Sequence, residues 1–332
     1  MIVTQSLERL ASSQDLSESA AARCFDHLFS GQMSPAQSGA FLLGLRVKGA
    51  TSQEMAAAVH SALKHSRQCP AVHGRSIDTC GTGGDGKKSF NCSTAVSFFL
   101  AHMGYQVVKH GNRAVSSACG SADVIEAMNI PFAQTAEEVH TSLAASNFAF
   151  LFAPSFHPAL AHIAPIRKDL GIPTLFNLMG PLLNPARPTH QLLGVGDPRA
   201  VSLVADVLAR SGVQAGAVVH GAKGFDELTP CGVNTVIMIR NGRCTPADVD
   251  PAGLGIPKCS PDQLAAGDKE TALHIMRDLL QGRGTEAVKN MVALNLGLAL
   301  SLLDQDPDLA GCVRRARQVV DRGVMTPIGA EA

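Results

Sequence analysis

The stretch Ser76-Ile77-Asp78-Thr79-Cys80-Gly81-Thr82-Gly83-Gly84-Asp85-Gly86 separates two textures of this chain. Ile77–Cys80 has the length and composition of a strand, four glycines follow within six residues, and Ser93–Met103 reads as an amphipathic helix. Strand, glycine turn and helix in that order open a parallel α/β sheet. Glycine permits positive φ and close backbone approach, so amide N–H groups can converge on an anion there. Ser93 and Thr94 add hydroxyls at the helix start. It is not a Walker A loop, because Lys87 is followed by Lys88. Nor is it a dinucleotide fingerprint, since no ribose-binding acid follows at the usual spacing. The stretch reads as a phosphate cradle, with a plain strand-to-helix connection as the alternative.

Upstream the residues are helical only. Ser17–Phe29 puts Ala21, Phe25, Leu28 and Phe29 on one face, Ser34-Pro35 offers an N-cap and a first-turn proline, and Thr51-Ser52-Gln53-Glu54 fits a capping box. Downstream, short apolar runs (Gln106–Val108, Phe148–Phe152, Thr174–Leu178, Gln191–Val195, Ala217–His220) alternate with helical segments such as Ala122–Met128 and Pro198–Ser211. Asn234–Arg240 followed by Asn241-Gly242 reads as a strand entering a tight turn, and the chain is helical again after Pro261. The expected fold class is α/β: a small all-helical N-terminal domain over 1–72, and a large α/β domain over 73–154 and 189–332. Its central sheet is mainly parallel and flanked by helices. Part of the Pro-rich stretch 155–188 is expected to pack on the helical domain.

The 332 residues carry 28 Lys+Arg against 28 Asp+Glu, with no Trp and one Tyr. Zero net charge and few aromatics exclude a general nucleic-acid binder. The nine cysteines form no C-x-x-C pair, and they read as reduced thiols of a cytoplasmic protein. Glu8 interrupts any secretion signal, and the apolar run Met291–Leu303 is too short to span a bilayer and contains Asn295, so no membrane association is expected.

Charge is nonetheless unevenly placed. Between Asp85 and Asp123 there is no acid, while Lys87, Lys88, Lys109 and Arg113 are basic, which suits a polyphosphate. Lys109-His110-Gly111-Asn112-Arg113 ends a predicted strand, where ligands of open parallel sheets gather. The small-residue stretch Ser116–Ser121 after it suits a covering loop. His220-Gly221-Ala222-Lys223-Gly224-Phe225-Asp226-Glu227 follows another strand, and its adjacent carboxylates suit Mg²⁺.

Together with Ser34-Pro35-Ala36-Gln37, His157-Pro158-Ala159, Pro165-Ile166-Arg167 and Asn177-Leu178-Met179-Gly180-Pro181, these motifs resemble the anthranilate phosphoribosyltransferase family over nearly the whole chain. The resemblance implies an Mg²⁺-dependent transfer of 5-phosphoribosyl from phosphoribosyl pyrophosphate (PRPP) to anthranilate, the second step of tryptophan biosynthesis from chorismate, in a homodimer formed through the helical domain. By the family's pattern, PRPP meets Gly81, Thr82, Gly83, Gly84, Asp85, Ser89, Asn91, Ser93, Thr94, Lys109, His110, Gly111, Asn112, Ser117 and Ser121. Anthranilate meets Gly81, His110, Asn112, His157, Arg167 and Gly180. Two Mg²⁺ ions are implied, one on Ser93 and Glu227 and one on Asp226 and Glu227. Pyrimidine nucleoside phosphorylase and non-enzymatic nucleic-acid-binding relatives share the fold. The His110-Gly111-Asn112-Arg113 string speaks against the first, and neutrality together with Asn112, His157 and Arg167 against the second.

Overall fold

The computed structural model describes residues 1–69, 72, 74–87, 89–113 and 119–324; Lys88 and Ser117 lie outside the described residues. Four helices come first: α1 (Ile2–Ala11), α2 (Glu18–Phe29), α3 (Pro35–Lys48) and α4 (Ser52–Lys64). Their starts are set locally. Ser17, Ser34 and Thr51 each accept a backbone N–H three residues on, and Gln37 and Glu54 complete capping boxes. Glu54 is wholly buried because the Leu16 and Thr51 amides and Lys48 Nζ all donate to it at 2.8–2.9 Å.

The α/β part then runs β1 (Ser76–Gly81), α5 (Cys92–His102), β2 (Gln106–Gly111), α6 (Ser121–Ala127), β3 (Phe132–Ala133), α7 (Ala136–Ser146) and β4 (Phe148–Phe152). The short helices α8 (Ala153–Phe156), α9 (Ala164–Leu170) and α10 (Phe176–Met179) follow. Next come β5 (His190–Gly194), α11 (Val201–Arg210), β6 (Ala215–His220), β7 (Asn234–Arg240) and β8 (Arg243–Val249). The last helices are α12 (Lys269–Leu280), α13 (Glu286–Leu303) and α14 (Leu309–Arg322). One eight-stranded sheet has the order β3-β4-β2-β1-β5-β6-β7-β8. All its pairings are parallel except β6–β7 and β7–β8.

Helices cover both faces, so the central strands are buried on both sides. Ile77, Leu192, Ala217 and Val219 face α5, α12, α13 and α14, whereas Leu193, Val218 and Ile237 share a core with α11 and the N-terminal helices. The connection from β1 runs through α5 on the first face, and the one from β5 through α11 on the second. Adjacent parallel strands whose connections leave to opposite faces open a crevice at their carboxyl ends. That crevice lies at Gly81 and Gly194, which are register partners.

Three features differ from the sequence expectation. Thr174–Leu178 is not a strand: Asn177 Oδ1 accepts the Thr174 amide at 2.9 Å and the chain winds into α10. Its Phe176 meets Phe29 edge-on at 6.0 Å, among the N-terminal helices rather than in the sheet. Strands β3 and β8 are additional to those expected. Asn241 and Gly242 do make the expected turn, with φ of 47° and 75°. Among the described residues one helix, α13, is long and apolar enough to cross a membrane, and it lies buried in the core.

Candidate active site

Three glycines make room for the acid pair. A Cβ on Gly81 would lie 2.3 Å from Asp226 Oδ2, one on Gly194 1.5 Å from the Asp226 carbonyl, and one on Gly221 1.9 Å from the Glu227 carbonyl. The loop after β6 is thereby pressed against the ends of β1 and β5. The Gly83 amide donates to Asp226 Oδ2 at 3.0 Å, and Gly83, Gly84 and Gly86 take φ of 64°, 73° and 71°. This folding of the glycine turn brings Asp85 to the pair. Ligand atoms of Asp85, Asp226 and Glu227 all lie within 4.8 Å of one another. Asp85 Oδ2 and Glu227 Oε2 are buried and find no hydrogen-bond partner among the described residues.

Burial, then repulsion from Asp226 and Asp85, lifts the Glu227 carboxyl well above the ordinary carboxylate range. Asp226 moves the same way, through burial and then Asp85. Lys109, buried on β2, donates to the Thr79 carbonyl and, at 3.3 Å, to Ser93 Oγ. Burial pulls its ammonium below the usual range, against the attraction of Asp78. Asp78, inside β1, is itself pushed up to about 6 by burial despite a 2.9 Å bond from Asn184.

The other end is built from bases. His110 and His157 meet edge-on with ring centroids 5.1 Å apart. His157 Nε2 bonds the Leu183 carbonyl at 2.8 Å, and the Gly180 backbone bonds His110. Burial lowers their pKa values to about 3 for His110 and about 4 for His157, so both are uncharged at neutral pH. His110 Nε2 and His157 Nδ1 remain without a hydrogen-bond partner among the described residues. Arg167 lies over the Phe176 ring at 5.4 Å, half-buried rather than out in solvent.

Two family models match, the helical bundle domain of the glycosyl transferase family over residues 4–66 and its a/b domain over residues 73–325. The anthranilate phosphoribosyltransferase of Oleidesulfovibrio alaskensis is 50% identical over 323 residues, which cover 97% of this chain and 98% of that one. The chain belongs to the anthranilate phosphoribosyltransferase family. The crystal structure of the Thermus thermophilus family member superposes with a TM-score of 0.87 at 34% identity, covering 96% of this chain and 95% of that one. The Saccharomyces cerevisiae family member, solved in complex with PRPP and Mg, shares the fold with a TM-score of 0.86 at 24% identity, covering 96% and 93%.

The structure thus gathers Gly81, Gly83, Asp85, Asp226 and Glu227 in one group, with Ser93 and Lys109 beside it, and His110, His157 and Gly180 in another. Other expected residues stand at the edges. Asn112 is exposed, and its carbonyl accepts Ser121 Oγ at 3.4 Å. Asn91 Nδ2 donates to the Cys119 carbonyl at 3.0 Å, while Asn91 Oδ1 and Thr94 Oγ1 are buried without partners among the described residues. Thr82 Oγ1 lies 3.4 Å from the Gly196 amide, and Ser89 pairs with Ala265. The basic window contributes less than its count. Arg113 forms two bonds with Glu126, at 2.7 and 2.9 Å, and Lys87 lies over Phe225 at 5.8 Å. Asp85 was expected to touch PRPP, but nothing in the sequence ties it to Asp226 and Glu227.

Proposed function

We propose that this chain transfers the 5-phosphoribosyl group of PRPP to the amine of anthranilate and releases pyrophosphate, as the second step of tryptophan biosynthesis from chorismate. Family membership supports the reaction. The observation that carries the site is the cluster of Asp85, Asp226 and Glu227 at the β1–β5 crevice, with buried Asp85 and Glu227 oxygens that have no hydrogen-bond partner among the described residues. Three clustered carboxyls, of which Asp85 and Glu227 each keep a buried oxygen without a hydrogen-bond partner among the described residues, fit Mg²⁺, which takes one or two protein carboxylates and completes its shell with phosphate oxygens and water. Asp226, Glu227 and Ser93 would hold two ions, with Asp85 within reach. When bound, Mg²⁺ supplies neutralisation of the charge that develops on the departing pyrophosphate.

The chain's own groups do the rest. Backbone amides of Gly84–Gly86 and the hydroxyls of Ser93 and Thr94 would cradle phosphate, and Lys109 adds a buried cation. Asn91, Asn112 and Ser121, with Ser117, border the same substrate. His110 and His157, being neutral, leave the anthranilate amine unprotonated and its ring in an apolar setting beside Gly180. Arg167 would bind the carboxylate by charge-assisted hydrogen bonds. The amine is a competent nucleophile, so no covalent intermediate with the chain is needed, and orientation with water exclusion lowers the barrier.

The reading places a hinge between the helical part (1–72 with part of 155–188) and the α/β part. It makes the protein a cytoplasmic homodimer, joined where α3 exposes Leu43 and Val47. Loss of anthranilate fluorescence on mixing protein, PRPP, Mg²⁺ and anthranilate tests the activity. No loss, alongside phosphorolysis of thymidine or uridine, would overturn it.

A further inference from the structure

Helix α13 is nearly all apolar and buried, yet it carries three buried polar side chains, Asn290, Asn295 and Ser301. Two are explained locally: Asn290 accepts from Arg317, and Ser301 Oγ returns to the Leu298 carbonyl of its own helix at 3.1 Å. Asn295 reaches out of the helix. Its Oδ1 accepts the Leu228 amide at 3.0 Å. Its Nδ2 donates to the Leu228 carbonyl at 2.8 Å, to the Met291 carbonyl at 2.8 Å and towards Cys92 Sγ at 3.6 Å.

Leu228 follows Glu227, and Cys92 precedes Ser93. One carboxamide therefore touches the chain next to two of the groups assigned to the cation. The neighbouring peptide has no slack on its other side, because the Glu227 carbonyl is packed against Gly221, where a Cβ would lie 1.9 Å away. Asn295 also lines the same small internal space as Ser93, Asp226 and Glu227. A buried carboxamide whose oxygen and nitrogen are both engaged holds its partners in a single arrangement.

We infer that Asn295 is a positioning residue: by clamping both backbone polar groups of Leu228 it fixes the direction in which Glu227 presents its carboxylate to a divalent cation. The inference rests on the carboxylate group being the cation site.

Mn²⁺ titration of the full chain, followed by its electron paramagnetic resonance, tests it on wild type, Glu227→Gln, Asn295→Leu and Ser301→Ala, with urea unfolding of each. Glu227→Gln and Asn295→Leu are expected to weaken Mn²⁺ binding about tenfold or more, as removal of a ligand's supporting hydrogen bonds does, and Ser301→Ala to leave it unchanged. The KM for Mg²⁺ should rise in Asn295→Leu while that for anthranilate stays put. If Glu227→Gln weakens binding and Asn295→Leu does not, though it unfolds more easily, Asn295 is only a core residue and the inference fails alone. If Glu227→Gln also leaves binding unchanged, the cation-site reading fails first. Hydrogen exchange of wild type decides the matter even if Asn295→Leu does not fold. The Leu228 amide should exchange as slowly as the α13 core, and exchange as fast as the exposed Lys223 turn would overturn the clamp.

Discussion

Burial shapes both ends of the site and does opposite things to them. At the β1–β5 crevice it concentrates acidic groups: Asp85, Asp226 and Glu227 crowd together, two of their oxygens lack partners among the described residues, and Asp226 and Glu227 resist losing their protons. At the His110–His157 end it removes positive charge, leaving two neutral rings held by carbonyls of the 180–183 segment. The first end is unstable alone and calls for a cation. The second needs no counter-ion and offers two ring nitrogens without hydrogen-bond partners among the described residues. A site that must seat a metal-bound polyanion beside an aromatic amine needs this division of charge.

The largest expected effect comes from removing the charge of the first end. Asp226→Asn with Glu227→Gln should lower turnover at limiting Mg²⁺ by about 10²–10³, with the far-ultraviolet circular dichroism unchanged. Near-normal activity at limiting Mg²⁺ would dissolve the distinction between the ends. Crowding the same end without touching a charge comes next. A Cβ at Gly194 would lie 1.5 Å from the Asp226 carbonyl, so Gly194→Ala must displace the loop. An overpacking cost of about 1–3 kcal/mol is expected in urea unfolding, together with a raised KM for Mg²⁺.

At the second end, Arg167→Ala should raise the KM for anthranilate about tenfold, the worth of one charge-assisted contact, and that for PRPP far less. Equal rises would place Arg167 outside the anthranilate end. The smallest effect is on pH. Both histidines have folded pKa values below their ordinary 6.5, so the unfolded chain binds more protons and stability falls as pH drops from about 6.5 towards 4. Between pH 7 and pH 6 the loss is on the order of 1 kcal/mol for the pair. Asp78, raised to about 6, has the opposite sign, its protonated form favouring the folded state as pH falls from 6 towards its ordinary value. Comparing urea midpoints of wild type with His110→Asn/His157→Asn isolates the histidines. An unchanged slope would mean that they are not buried neutral.

How much of this was legible depends on range along the chain. Helix starts at Ser17, Ser34 and Thr51 could be read because a cap and its amide are three residues apart. Strands β4 and β6 could be read because burial on two faces leaves nearly continuous apolar runs, and β1 because a short strand-like run precedes the glycine turn. Strand β8 could not. It is an edge strand, exposed along Arg243–Asp248 and containing Pro246, so only its pairing with β7 makes it a strand. Thr174–Leu178 looked like a strand because a short apolar run has no period, and its packing partner Phe29 is far away in sequence. In the site, motifs contiguous in sequence were legible. The approach of Asp85 to Asp226, the Arg113–Glu126 pair and the reach of Asn295 to Leu228 depend on the fold.

A crystal structure of the full chain grown with PRPP, Mg²⁺ and anthranilate tests the division of charge most directly. It should show Mg²⁺ about 2.1 Å from Glu227 and Asp226 carboxylate oxygens, with pyrophosphate oxygens completing its shell and the anthranilate ring against His157. Pyrophosphate bound away from Asp226 and Glu227, or anthranilate lodged at the carboxylate end, would contradict it.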